Sequence, residues 1–316
     1  MKFILLLIGM PVLFLACKSP QSTDSGSAGF DPDKTYQLRL SPQTGSVYRY
    51  TIENKSNITV ETDAKEIENI NQADIGVTYT IEADSSGNYR FNAVYDKLRF
   101  ISESNGEKTE IDAANGSFSI NPLEKMLAML KDSMICAVIS PTGEVVSISG
   151  YQEIGDRMIS KLSENDEVGK KGAKEQWDKY VGEGLIRKNF DQLFRLFPDS
   201  SIRLGDKWKL TEREDGELKY NSNGYYTLKA INQELAIIEA ESNISASSSN
   251  AAFSEMGGSI TEMTGTQNSQ FEIETKTGMV LSCRVKTTIK GMVKVMNKEL
   301  PVTATITVKV SGKKIK

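Results

Sequence analysis

The chain has 316 residues, 39% of them apolar and 25% charged, a composition that suits an ordinary globular protein and excludes a fibrous or disordered one. Its net charge of −4, with both signs interspersed, leaves no basic footprint to release counterions from phosphate, so nucleic acid is not expected as a partner. Histidine is absent, which excludes Ser-His-Asp and Cys-His nucleophile systems and His-ligated zinc.

Met1-Lys2 gives a short positive start, and Phe3 to Ala16 is an apolar run broken only by Gly9 and Pro11. As a helix this run would span about 21 Å, short of the ~30 Å hydrocarbon core, so residues 1–16 read as a signal peptide rather than a membrane span. The run stops at Leu15-Ala16-Cys17. A small residue directly before a cysteine at that place resembles the lipobox of bacterial lipoproteins, with Phe14 standing where Leu is usual. The resemblance implies cleavage between Ala16 and Cys17 and acylation of the Cys17 thiol. The membrane is then a partner through acyl chains, at about 0.8 kcal/mol per buried CH₂. Residues 17–29 comprise that cysteine and a polar, small-residue tether that cannot bury enough surface to order itself. Lys18 instead of an acidic residue, and no acidic run after it, point to an outer-membrane anchor facing the periplasm.

Residues 30–316 are expected to form a single α+β domain. Over 30–120, Tyr48, Tyr50 and Ile52 alternate with polar residues, as do Tyr79, Ile81 and Ala83, and then Tyr89, Phe91, Ala93 and Tyr95, which is the period of half-buried strands. The apolar phase then slips to Leu98 and Phe100, which predicts a bulge near Asp96-Lys97. Ser85-Ser86-Gly87-Asn88 predicts a hairpin turn.

Over 121–200 the pattern turns helical. Asn121-Pro122-Leu123-Glu124 combines an N-cap residue, proline in the first turn and Glu at the third helical position, ahead of Met126, Leu127 and Leu130. A short strand pair flanks Ser140-Pro141-Thr142-Gly143. Tyr151, Ile154, Met158 and Leu162 mark a second helix; Leu185, Ile186, Phe190, Leu193, Phe194 and Phe197 mark a third, stopped by Pro198. The polar stretch Ser163 to Lys174 reads as a solvated linker.

Strand periodicity returns over 201–316, at Tyr226, Leu228 and Ala230, at Phe271 and Ile273, at Met279, Leu281, Cys283 and Val285, and from Val302 to Val310. Ser245 to Gln270 is either a long loop or weakly patterned strands. Strands, a helical insert and strands again predict a large curved antiparallel sheet, an open half-barrel, with the inserted helices packed on one face.

Tyr36-x-Leu38-x-Leu40-x-Pro42-x-x-Gly45-x-x-Tyr48-x-Tyr50, Ser140-Pro141-x-Gly143-x-Val145, Phe197-Pro198 with Leu204-Gly205-Asp206-x-Trp208, and Phe271-x-Ile273-x-x-x-Thr277-Gly278 together resemble an uncharacterised family of Bacteroidota-type lipoproteins, the domain of unknown function 6263. These are turn and packing residues, and the resemblance implies no activity or catalytic residue. The element order is also similar to the half-barrel of lipoprotein carriers of the LolA and LppX type, whose concave face can hold acyl chains; that is a likeness of architecture alone.

No G-x-S-x-G, Walker A or EF-hand series occurs, and Ser311-x-x-Lys314 lies too near the terminus to desolvate a lysine base. The expectation is a protein that is not an enzyme, with no catalytic residue, no metal site and no cofactor. A carboxylate-based enzyme stays open, since any two of 42 acidic residues could converge. The aromatic helix face, Phe190, Leu193, Phe194 and Phe197, with Trp208, is either plain core packing, the simpler reading, or an apolar cleft for lipid or lipoprotein cargo. A protein-interaction module of the outer membrane is the alternative function. Cys136 and Cys283 read as small buried apolar residues or as a disulfide.

Overall fold

The computed structural model describes residues 34–63, 65–116, 119–162, 167–209, 221–249, 258–295 and 298–316. The expected signal peptide, Ala16, Cys17 and the tether lie outside the described residues. The strands are β1 (Val47–Glu61), β2 (Glu66–Ala83), β3 (Tyr89–Ser104), β4 (Glu107–Asp112), β5 (Met134–Ile139), β6 (Val145–Ser149), β7 (Lys207–Trp208), β8 (Asn221–Ile231), β9 (Leu235–Ser249), β10 (Gly258–Glu274), β11 (Val280–Val295) and β12 (Lys298–Lys314). The helices are α1 (Pro122–Leu130), α2 (Tyr151–Leu162), α3 (Glu167–Val181) and α4 (Glu183–Phe194).

All strands join one 12-stranded sheet in the order β6-β5-β3-β2-β1-β12-β11-β10-β9-β8-β7, with β4 paired to β3. Every ladder is antiparallel, and the first and last long strands, β1 and β12, pair along thirteen positions at its centre. The sheet ends at β6 and β7 and does not close. Strands of 15 to 18 residues are about three times the usual length, and a sheet this wide must coil.

The α+β expectation is overturned. Strand residues outnumber helical ones several-fold and one continuous sheet carries the fold, with only a few helices of 9 to 15 residues against it, so the protein is predominantly antiparallel β. The cause lies in segments whose own apolar alternation is weak. Of the Ser-, Thr- and Asn-rich stretch, residues 245–249 are the end of β9 and 258–270 most of β10, because pairing with β8 and β11 on either side satisfies their backbone; 250–257 lie outside the described residues.

Local signals fared well where the chemistry is local. Asp96 is the extra residue of a bulge opposite Gly76-Val77, as the phase slip predicts, and it accepts from Arg49 Nε at 2.9 Å. The turn before β3 uses Gly87 at φ +79°. Asn121 caps α1 by accepting from Leu123 N at 2.9 Å, while Glu124 reaches Asp112 N instead of its own cap. The stretch read as a linker is different: from Glu167 it is the start of α3, anchored further on by buried Trp177 and Val181. Cys136 and Cys283 are not joined in a disulfide.

The period-two pattern gives the sheet two unlike faces. Outward positions carry exposed Arg49, Glu53, Lys55, Lys286, Lys290 and Lys309. Inward positions carry Tyr48, Tyr50, Val77, Phe91, Ile238, Phe271, Val285 and Val308, which share one core with the buried faces of the helices.

Candidate functional site

The helices cover one end of the inner face. Phe190 and Phe194, one helical turn apart on α4, meet Tyr50 of β1, Tyr79 of β2 and Phe91 of β3; the ring centroids of Phe91 and Phe194 are 5.0 Å apart and those of Tyr79 and Phe190 are 5.6 Å apart. The Tyr50 hydroxyl donates to Val280 O at 2.8 Å, which ties the centre of this cluster to β11. Phe197, beyond the end of α4, is equally buried. Trp208 stacks on Tyr226 at 5.9 Å and donates from Nε1 to Leu196 O at 3.1 Å. Of the five residues singled out for a cleft, Phe190, Phe194 and Phe197 are closed core and Trp208 supports the chain leaving α4. Only Leu193 faces open space.

That space is a cavity of about 120 Å³ beside the cluster, under Leu127 and Leu130 of α1, Val181 at the end of α3, and Leu185, Ile186 and Leu193 of α4. Its floor is the inner face: Ile52 and Asn54 on β1, Ile75 and Val77 on β2, Tyr95, Leu98 and Phe100 on β3, Cys283 and Val285 on β11, Val308 and Val310 on β12. The cavity exists because the floor changes size. Where α4 faces Tyr50, Tyr79 and Phe91 the rings fill the gap; where it faces Val285, Val308 and Cys283 they cannot. Ile52, Ile75, Tyr95 and Phe100 are only partly buried, so the cavity opens at the limit of the helical cover, towards the uncovered end of the sheet.

A 120 Å³ void is on the scale of one that holds a single aromatic ring. The polar atoms at its rim belong to Asn54, Asn189 and Gln192. Burial pushes the Tyr95 phenol up to about 12 and holds that of Tyr79 well above its ordinary value, so both tyrosines in the lining are neutral at physiological pH. Sequence reasoning missed the floor because each of its residues reads as an ordinary inward position of its own strand, and only the pairing of the strands brings them together.

Several solved structures show some likeness over most of the chain. A channel from Pseudomonas putida F1, COG4313, matches over 90% of this chain and 100% of its own, at 7% identity and a TM-score of 0.24. The translocator domain of the autotransporter NalP from Neisseria meningitidis matches over 86% and 90%, at 6% identity and a TM-score of 0.20. OccK7 (OpdD) of Pseudomonas aeruginosa matches over 86% and 99%, at 5% identity and a TM-score of 0.23. At such scores the likeness carries no argument about fold or function. No curated protein matches the chain. One family profile does, over residues 86–280, from the turn before β3 through the helices and the cavity's helical roof to the start of β11: the chain belongs to the family of unknown function DUF6263.

Proposed function

We propose that this protein is a non-catalytic binding protein of the bacterial cell envelope, held to the outer membrane through acylated Cys17, that takes an apolar group, the hydrocarbon of a lipid or lipoprotein, into the cavity between α4 and the inner face of the sheet. The observation that carries the reading is the cavity itself. It is lined almost wholly by aliphatic and aromatic side chains and opens at one side, and an apolar group entering it would gain about 25 cal/mol per Å² removed from water.

The charged outer face supports a protein that works in water. A strand facing lipid needs an outward apolar band about 25 Å tall, and Arg or Lys near the bilayer midplane costs about 2–4 kcal/mol each. Arg49, Lys55, Lys286, Lys290 and Lys309 all project outward from the central strands. A polar outside and an apolar inside reverse the arrangement of a porin.

Two measurements test this. The Cys17→Ala chain should lose acyl labelling and leave the membrane fraction; a labelled, membrane-bound variant would end the anchoring reading. For the cavity, Val308→Trp fills the floor from β12 without adding a charge. A fluorescent acyl probe should bind the native chain and bind the variant at least about tenfold more weakly, with an unchanged far-ultraviolet circular dichroism spectrum; undiminished binding would place the ligand elsewhere.

A further inference from the structure

Beyond the cavity mouth the inner face turns from apolar to polar along one row of the sheet. Register aligns Ser242 of β9 with Gln267 of β10, Gln267 with Thr287 of β11, and, across Ile306 of β12, Ser56 of β1 with Asn71 of β2 and Asn71 with Ser102 of β3. These residues come from six strands distant in sequence. Ser269 and Asn54 belong to the adjacent row, nearer the helices, where the order is Ser269, Val285, Val308, Asn54. Val285, Val308 and Asn54 are themselves cavity floor, so Ser269 lies one strand spacing, about 4.8 Å, beyond its wall.

The two halves of this belt differ. On β1 to β3 it is internally paired: Ser102 Oγ donates to Asn71 Oδ1 at 2.8 Å and Asn71 Nδ2 donates to Ser56 Oγ at 3.4 Å. On β9 to β11 the Ser242, Ser269 and Thr287 hydroxyls and the Gln267 carbonyl oxygen are buried without a protein partner, as is the Asn54 carbonyl oxygen beside the cavity. Thr287 is 0%, Ser269 3%, Gln267 6% and Asn54 6% exposed, so these groups are withdrawn from bulk solvent and aimed into the curl of the sheet. Buried polar groups in native proteins are nearly always satisfied, and a set left unpaired on the three adjoining strands β9 to β11 marks where a partner belongs. The belt holds no Asp, Glu, Lys or Arg, and an ionised group brought there would be desolvated with nothing opposite it.

We infer that this belt is the head-group site of the ligand, and that the ligand is an uncharged amphipathic lipid: a hydrocarbon tail in the cavity and a neutral hydroxyl- or ester-bearing head, as in an acylglycerol, hydrogen-bonded to the neighbouring Thr287, Ser269 and Gln267. Hydroxyls of such a head donate to the Gln267 side-chain amide oxygen, and its ester oxygens accept from Thr287 and Ser269. The inference rests on the cavity being a hydrocarbon site, and it adds the chemistry of the other end.

The experiment uses the full chain carrying Cys17→Ala and three probes of one chain length, monododecanoylglycerol, dodecane and dodecyl phosphate, with Thr287→Val and Ser269→Ala as separate near-isosteric variants. Each variant removes one unpaired hydroxyl, so its thermal midpoint should hold or rise. The expected result is a roughly tenfold loss of monododecanoylglycerol affinity in each variant with dodecane unchanged, and weaker binding of dodecyl phosphate than of the glyceride to the native chain. Native glyceride affinity in both variants would show that the belt is only hydrated and would overturn the inference while leaving the cavity reading intact. Preference for the phosphate would overturn the neutral head. Binding of neither dodecane nor glyceride would remove the cavity reading, and this inference with it.

Discussion

Phe194→Ala is expected to lower the unfolding free energy by about 3–5 kcal/mol, read as a shift in the urea midpoint at constant slope. Phe194 is fully buried, and its ring meets Tyr50, Tyr79, Phe91 and Phe190. Truncation therefore removes four edge or tilted aromatic contacts, each of order 0.5–1.5 kcal/mol, as well as the transfer energy of the ring. The rings around it are held by three strands and a helix, so the hole cannot collapse and the loss belongs at the upper end of the range. Phe190→Ala should cost less, because Phe190 touches only Tyr79 and Phe194 in the ring cluster. Equal losses for the two would mean that the cluster is not centred where the contacts place it.

Gly143→Ala should be nearly as damaging although it adds only a methyl group. Gly143 closes the turn between β5 and β6 with φ +86°, where an L side chain costs about 1–2 kcal/mol. Its own N–H donates to Ser140 O at 2.9 Å, and Pro141 O in the same turn accepts from Leu40 N at 2.8 Å, so the turn is pinned from both sides. A Cβ built there would lie 1.9 Å from Phe194 O and 2.5 Å from Phe194 C, which is backbone that cannot swing away. Relieving that overlap means prising the turn from the end of α4, for a total of about 2–5 kcal/mol. Gly87→Ala is the control: its φ is +79° and a Cβ there meets nothing within 4 Å, so it should show the conformational cost alone. A double variant with Phe194→Ala should be non-additive, since the two residues share a contact. If Gly143→Ala and Gly87→Ala behave alike, the close approach of the turn to α4 is not real.

What the sequence determined by itself is what depends on neighbours along the chain. Period-two alternation placed the long strands, and the slip from Tyr95 to Leu98 placed the bulge at Asp96, because side-chain direction in a strand follows from counting by two. Asn121 ahead of Pro122 placed the start of α1, because a cap needs only the first turn. Tertiary structure decided the rest. Phe190 and Leu193 carry the same signal in the sequence, apolar at helical spacing, yet Phe190 packs on the Tyr79 ring and Leu193 lines the cavity, a difference set by what the sheet presents and not by the helix. The β-dominated class was hidden for a related reason: the Ser- and Thr-rich parts of β9 and β10 become strands only when flanked by others. The polar belt is the extreme case. Ser56, Thr287, Gln267 and Ser242 are unremarkable residues in separate segments, and only the register of antiparallel pairing, which a one-residue shift would send to the opposite face, brings them into one row beside the cavity.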